Sequence, residues 1–435
     1  MVLEVNHVYQ LFVSMLFILT VVLIALEKIE RYKIAAIAII LLLITQAITF
    51  EDFVHYIDWD VLGMIMCMNI YSVVLEISGF AKWIAYRSVS RVRKPLLLLY
   101  TVILLSGIVS LVLENAVTVL IFAPIAFEIA SLLNINVKEL LIGIALAAGM
   151  AGSATMIGDP PAIIVAGRYN LAFTDFFIYS NKLSMFFIIF IPMIIATAIH
   201  VIQNFEHLKN SYIDIANVYE ERIDRVFVLE TTIFLFIKII LLSFRKELGI
   251  PLTLSALTAL IGLYIVRIAI HRDTECVRKS IKEGLDYRLP LFLIAIFLLS
   301  NSLKKYGITD IIANSIVKNI GENLAALGIT IFIISTTLSA FIENIPVTLT
   351  LLPIVDSIAM RTGIDALILA WGALAGLTAG GGFTYIGSGA NVVAVHILDS
   401  KNAETKFAEF IKIALPFNIT NTILVLTLYT FIWLR

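Results

Sequence analysis

The chain has 435 residues, 60% hydrophobic and 14% charged, with a mean hydropathy of +0.99. Soluble domains carry about 45–50% apolar and about 25% charged residues, so a water-soluble enzyme, a disordered chain and a nucleic-acid binder are excluded as first readings. With 31 basic against 32 acidic residues the net charge is −1, and no polyanionic partner is indicated.

A helix that crosses a bilayer needs about 20 mostly apolar residues. Runs of that kind fall at 8–26, 34–50, 60–78, 96–113, 116–133, 139–167, 176–200, 227–244, 252–270, 287–303, 325–342, 345–360, 365–398 and 409–434. The first has no basic residue before it and no small-residue cleavage site after it, and reads as a retained span. The polar stretch 203–226 divides the chain near its middle. Cys67 lies in an apolar run and Cys276 in a basic polar loop, so no disulfide is expected.

Two junctions are too short for ordinary loops. Between 96–113 and 116–133 the only polar residues are Glu114 and Asn115, and between 325–342 and 345–360 they are Glu343 and Asn344. Two residues can hardly carry a chain across the headgroups and back. Each pair therefore reads as a re-entrant hairpin, 96–133 and 325–360, in preference to two full spans with a very tight turn. Backbone breaks at that depth survive only inside protein or beside a water-filled cavity. With ten crossings and the hairpins left uncounted, 21 Lys and Arg fall on the inside and 8 on the outside. That bias puts both termini outside.

Sliding the chain by 229 residues superposes Glu114 on Glu343, Asn115 on Asn344, Pro124 on Pro353, Gly152 on Gly381, Thr155 on Thr384 and Gly158 on Gly387. The expected units are 1–202 and 227–435, joined by a cytoplasmic linker 203–226. Five crossings is an odd number, so the second unit enters the membrane upside down. The first hairpin then opens inward and the second outward. The expected fold is an all-α polytopic membrane protein: an inverted repeat of two five-crossing units, each with a re-entrant hairpin and a broken helix. Secondary transporters use this architecture, with substrate near the midplane where the repeats meet.

After each hairpin a long apolar run is interrupted. The first break runs from Gly152 through Ser153, Thr155 and Gly158 to Asp159, Pro160 and Pro161; the second from Gly380 and Gly381 through Thr384, Gly387 and Ser388 to Asn391. Glycine opens the backbone and proline cannot continue a helix, so each run is two half-helices around an unwound stretch. Asp159 can cap a half-helix that has Pro160 and Pro161 in its first turn. Asn115 and Asn344 stand at the two hairpin tips. Half-helix N-termini carry roughly half a positive charge each, and several aimed at one cavity could hold an anion. No arginine is expected near the midplane. Glu114, Glu343 and Asp159 are the acids at that depth, and an intramembrane carboxylate is a functional candidate by default. Two other readings stay open for them, structural caps on the free amides of half-helix starts or a place at the membrane surface; for Asp159 the capping reading stands at least level with the functional one. Thr118 and Thr348 lie one turn beyond the tips and complete the candidate substrate- and ion-binding set.

Other polar residues are weaker candidates. Glu128 and Asp356 read as interface or surface charges, Glu230 and Lys238 as snorkelling or locally paired, and His396 as near the inner surface. The remaining histidines have no metal-ligand spacing. There is no nucleophile elbow, no P-loop and no His-Glu-x-x-His, so neither an enzyme nor direct ATP drive is indicated, and no cofactor is expected.

At Glu114 to Leu120 and again at Gly152 to Pro161, ending Gly-Asp-Pro-Pro, the chain resembles the ion transporter superfamily. The nearest parts are its arsenite permease, citrate–metal permease and NhaD-type sodium/proton antiporter branches, with the melanosomal P protein as a relative. The resemblance implies an elevator-type secondary transporter, often dimeric. In the carboxylate branch, Ser-Asn-Thr tips bind sodium and substrate carboxylate. Only Asn115 and Asn344 carry over, which implies sodium near those two residues. Ala162 replaces an Asn common after Gly-Asp-Pro-Pro, while Asn391 is present at the matching place in the second half. The combined expectation is a multi-pass cell-membrane protein that moves a small oxyanion or carboxylate, coupled to protons or sodium. A sodium/proton antiporter is the alternative. The expected partners are the small substrate or ion, the bilayer and a second copy in a homodimer, with no nucleic acid.

Overall fold

The computed structural model describes residues 2–26, 28–89, 92–209 and 223–435. Arg91, Arg222 and most of the expected linker lie outside the described residues.

The first half holds α1 (Val2–Ala25), α2 (Arg31–Ile44), α3 (Phe50–Tyr56), α4 (Trp59–Ser78), α5 (Phe80–Val89), α6 (Pro95–Ser110), α7 (Asn115–Leu133), α8 (Val137–Gly152), α9 (Pro160–Arg168) and α10 (Met185–Phe205). The second holds α11 (Arg225–Ser243), α12 (Arg245–Leu248), α13 (Leu252–Ala269), α14 (Thr274–Gly284), α15 (Arg288–Lys305), α16 (Ile308–Ile320), α17 (Leu324–Ser339), α18 (Asn344–Thr362), α19 (Ala366–Gly380), α20 (Gly389–Ser400) and α21 (Phe407–Trp433). A two-residue hairpin, Ile178–Tyr179 with Lys182–Leu183, is the one sheet among the described residues. The protein is an all-α polytopic membrane protein.

Among the described residues eight helices are long and apolar enough to cross a membrane, while α6, α17 and α19 are shorter. At 1.5 Å per residue, the 16 residues of α6 and of α17 reach about 24 Å, less than the roughly 30 Å of a bilayer's hydrocarbon core.

The helix limits recur at an offset of 229. The range 95–110 returns as 324–339, and 115–133 as 344–362. Pro124 and Pro353 sit inside the matching helices α7 and α18, where each removes one backbone donor. Packing across the halves is reciprocal: α9 lies against α18 and α19, while α20 lies against α7 and α8.

Charged side chains away from the breaks are accounted for locally. The Arg267 guanidinium bonds Glu230 at 3.1 Å and Asp273 at 2.5 Å, and His271 meets Glu230 at 2.6 Å. Asp356 accepts from Arg168 and, at 2.8 Å, from the Tyr169 hydroxyl, so it joins the two halves; Glu128 and His396 are exposed. Lys238 is fully buried, its Nζ 4.1 Å from the Tyr71 ring centroid. Cys67 and Cys276 are free and buried. Cys276 is in α14, an amphipathic helix and not a loop, whose Gly284 packs on the backbone of Ile70 in α4.

Candidate functional site

Each hairpin tip is a four-residue break, Leu111–Glu114 and Ala340–Glu343, tied to the unwound stretch of its own half. Ser110 Oγ donates to Asn115 Oδ1 at 2.6 Å, and Ser339 Oγ donates to Asn344 Oδ1 at 2.5 Å. The Thr155 hydroxyl donates to the Leu111 carbonyl and the Thr384 hydroxyl to the Ala340 carbonyl, both at 2.5 Å. A side chain at Gly158 would strike the carbonyls of Gly152 and Ser110, and one at Gly387 those of Ser339 and Gly381. Gly152 in turn leaves no room for more than hydrogen against the Asn115 carboxamide, and Gly381 lies close to Asn344. The same turn is therefore built twice from the same residue types.

The caps differ between the halves. Glu114 Oε2 accepts from the Val117 amide of α7 at 3.0 Å. Asp159 Oδ1 accepts from the Ala162 amide of α9 at 3.1 Å, and its Oδ2 accepts from Ser153 Oγ at 2.5 Å. In the second half neither Glu343 nor Ser388 makes a side-chain cap on α18 or α20. Asn391 instead donates from Nδ2 to the Gly381 carbonyl at 3.0 Å, and its Oδ1 is buried without a partner.

The first turns of α7, α9, α18 and α20 all line one cavity of about 410 Å³. Its wall also includes Asn69 and Val73 of α4, Arg31 of α2 and Glu283 of α14. Of the expected site residues, Glu114, Asn115, Asp159, Glu343, Asn344 and Ser388 meet there. An adjoining void of about 10 Å³, room for one water-sized probe, touches Asn344, Gly381, Ser388 and Asn391 together with Thr378 and Asn418. Thr118, Gly152, Ser153, Thr155, Gly158, Thr348, Thr384 and Gly387 line neither space. Thr118 and Thr348 donate back to the carbonyls of Glu114 and Asn344, at 3.2 and 2.7 Å. They serve the helix starts.

The sequence reading places no arginine near the midplane, yet Arg31 borders this cavity. Arg31 Nη1 donates to Glu343 Oε1 at 2.5 Å. Arg31 stands between the first two apolar runs and carries no local signal of this role; the fold brings the start of α2 to the second hairpin tip. Asn69 and Asn418 were also missed. Both are polar residues inside apolar runs, which was a usable signal.

Another cavity of about 410 Å³ lies toward the other ends of α4, α9 and α15 and against the middle of α18. Asp58 and Trp59 border α4 there, Arg168 ends α9, Ser300 and Asn301 belong to α15, and Leu349 and Leu352 to α18. Along α15, Leu289 borders the first cavity and Asn301 the second, about 18 Å apart at helical rise.

Comparison with known proteins places this architecture. A family profile described as citrate transporter matches residues 21–371 and 233–435. An uncharacterized transporter of Mycobacterium tuberculosis is 28% identical over 412 residues, 91% of this chain and 92% of its own length. An uncharacterized transporter of Synechocystis is 24% identical over 92% of each chain. The P protein of Mus musculus is 22% identical over 83% of this chain and 52% of its own length. The chain is a membrane transporter and belongs to the citrate transporter family.

Proposed function

We propose that this transporter carries a small anion of the oxyanion or carboxylate class, coupled to protons or sodium, by exposing the 410 Å³ cavity alternately to the two sides of the membrane. One observation carries the reading: the N-termini of α7, α9, α18 and α20 converge on that cavity. Free amides and the partial positive charge of helix starts favour anions. Carboxylates already occupy the starts of α7 and α9. The starts of α18 and α20 have no side-chain cap, and they bring Asn344 and Ser388 to the cavity wall.

The cavity also holds Glu114, Asp159, Glu283 and Glu343 against Arg31. That excess of acids repels a bare anion, so a cation or proton travels with it. Reciprocal packing of the halves supports the inverted repeat, with units 1–202 and 227–435 and re-entrant hairpins at 96–133 and 325–360. The cavities toward opposite ends of α4, α9 and α15 support a route closed between them. By the basic-residue bias, the Arg31 end faces the cytoplasm and both termini lie outside, in the cell membrane. An elevator movement and a homodimer follow from the resemblance.

The same four carboxylates favour a second reading, a sodium/proton antiporter of this fold. Proteoliposomes separate the two. Accumulation of citrate, sulfate or arsenate driven by a proton or sodium gradient supports the first. A sodium-driven pH change with no anion flux supports the second and overturns the first.

A further inference from the structure

Glu114 and Glu343 hold the same N-cap position with nearly the same backbone, φ −58°, ψ 139° and φ −55°, ψ 145°. Their side chains nevertheless do different things. The third helical residue after Glu114 is Val117, whose amide the carboxylate accepts; the third after Glu343 is Pro346, which has no N–H to give. Glu343 is thus released from capping. Its Oε1 accepts from Arg31 at 2.5 Å, and its Oε2 is buried without a hydrogen-bond partner. Among the described residues no arginine bonds Glu114, whose carboxylate is used on the Val117 amide. Arg31 is the one basic residue among those that line the cavity, and its side chain is 35% exposed. A half-satisfied carboxylate on the one cation among the described residues that line this cavity is a resident stand-in for a ligand.

We propose that Arg31 is the anion-recognising side chain of this transporter, and that Glu343 occupies it in the empty protein and is displaced by the carboxylate or oxyanion group of the substrate. The guanidinium offers two parallel N–H donors that match such a group. The uncapped starts of α18 and α20 then supply the remaining donors. The inference rests on the anion reading above and names the residue that gives that site its specificity.

The two partners have opposite expected effects, which a merely structural ion pair would not produce. Binding of citrate, sulfate and arsenate to the purified full chain is measured by titration calorimetry, with melting temperature as the fold control. Arg31→Ala is expected to weaken binding of the preferred probe at least tenfold, and Arg31→Lys by less. Glu343→Ala removes the competitor and is expected to tighten binding several-fold. The double variant Arg31→Ala/Glu343→Ala is expected to bind as weakly as Arg31→Ala alone. Equal weakening by Arg31→Ala and Glu343→Ala overturns the proposal and makes the pair a structural latch. Wild-type binding in a folded Arg31→Ala protein also overturns it. If no probe binds the wild type, the anion reading falls and takes this inference with it.

Discussion

Ser339 Oγ donates to Asn344 Oδ1 at 2.5 Å across the second hairpin tip, and 229 residues earlier Ser110 makes the same bond to Asn115 at 2.6 Å. Each bond orients a carboxamide at the meeting point of a hairpin tip and an unwound helix. Removing one side of a buried hydrogen bond costs about 1–3 kcal/mol. Asn115→Ala and Asn344→Ala are expected to raise the KM for the transported ion or anion by tenfold or more, with the protein still expressed and folded. Unchanged KM in both, measured by uptake in proteoliposomes, assigns the two residues to capping and turn geometry alone.

Gly158 and Gly387 are placed where a methyl group would meet backbone carbonyls of the neighbouring turn, not flexible side chains. Overpacking of this kind costs about 1–3 kcal/mol. Gly158→Ala and Gly387→Ala should each lower the melting temperature in detergent and reduce transport together. Full stability with full activity in either variant shows that the break relaxes more easily than its packing implies.

Lys238 Nζ lies over the Tyr71 ring and 3.1 Å from Met68 Sδ, inside α11 with no exposed surface. A buried amine without an anionic partner is a poor source of stability, although the ring returns up to about 2 kcal/mol when desolvated. Lys238→Met should keep or raise the melting temperature. A marked fall contradicts this. Lost transport at an unchanged melting temperature makes the amine functional.

Asp52, in the surface helix α3, accepts from the Thr49 amide at 2.9 Å and from Lys305 Nζ at 2.7 Å. Burial pushes its carboxyl up, but the Lys305 ammonium and Thr49 outweigh burial and hold it down at about 2. The folded value is below the unfolded one of about 3.9. Its stabilisation is therefore full above about pH 4 and is lost as pH falls through about 2. Asp52→Asn should cost about 1 kcal/mol or less near neutrality, and its melting-temperature deficit should close between about pH 4 and 2. A deficit that persists unchanged at pH 2 refutes the assignment.

What was legible in the sequence was local. Glycines and prolines at 152–161 and 380–389 mark unwound backbone because few other residues tolerate or force it, and Asp159 before two prolines reads directly as a cap. The 229-residue offset is visible because Glu-Asn, Pro and two Gly coincide at one spacing without a gap. The Arg31–Glu343 pair was not legible: 312 residues separate its members, and Arg31 stands between two apolar runs like any other flanking cation. Pro346 at the third helical position does hint that Glu343 cannot cap as Glu114 does. The threonines were misleading, since hydroxyls near a break bond the nearest carbonyl before any ligand.

The central claim is that one cavity serves both sides of the membrane. Ala116 lines it, next to Asn115, and both native cysteines are buried. An Ala116→Cys protein in oriented proteoliposomes, treated with a membrane-impermeant thiol reagent from one side at a time, tests the claim most directly. Labelling from either side is expected, with transported anion and coupling ion shifting the balance between them. Labelling from one side only, under every condition in which the variant still transports, contradicts it.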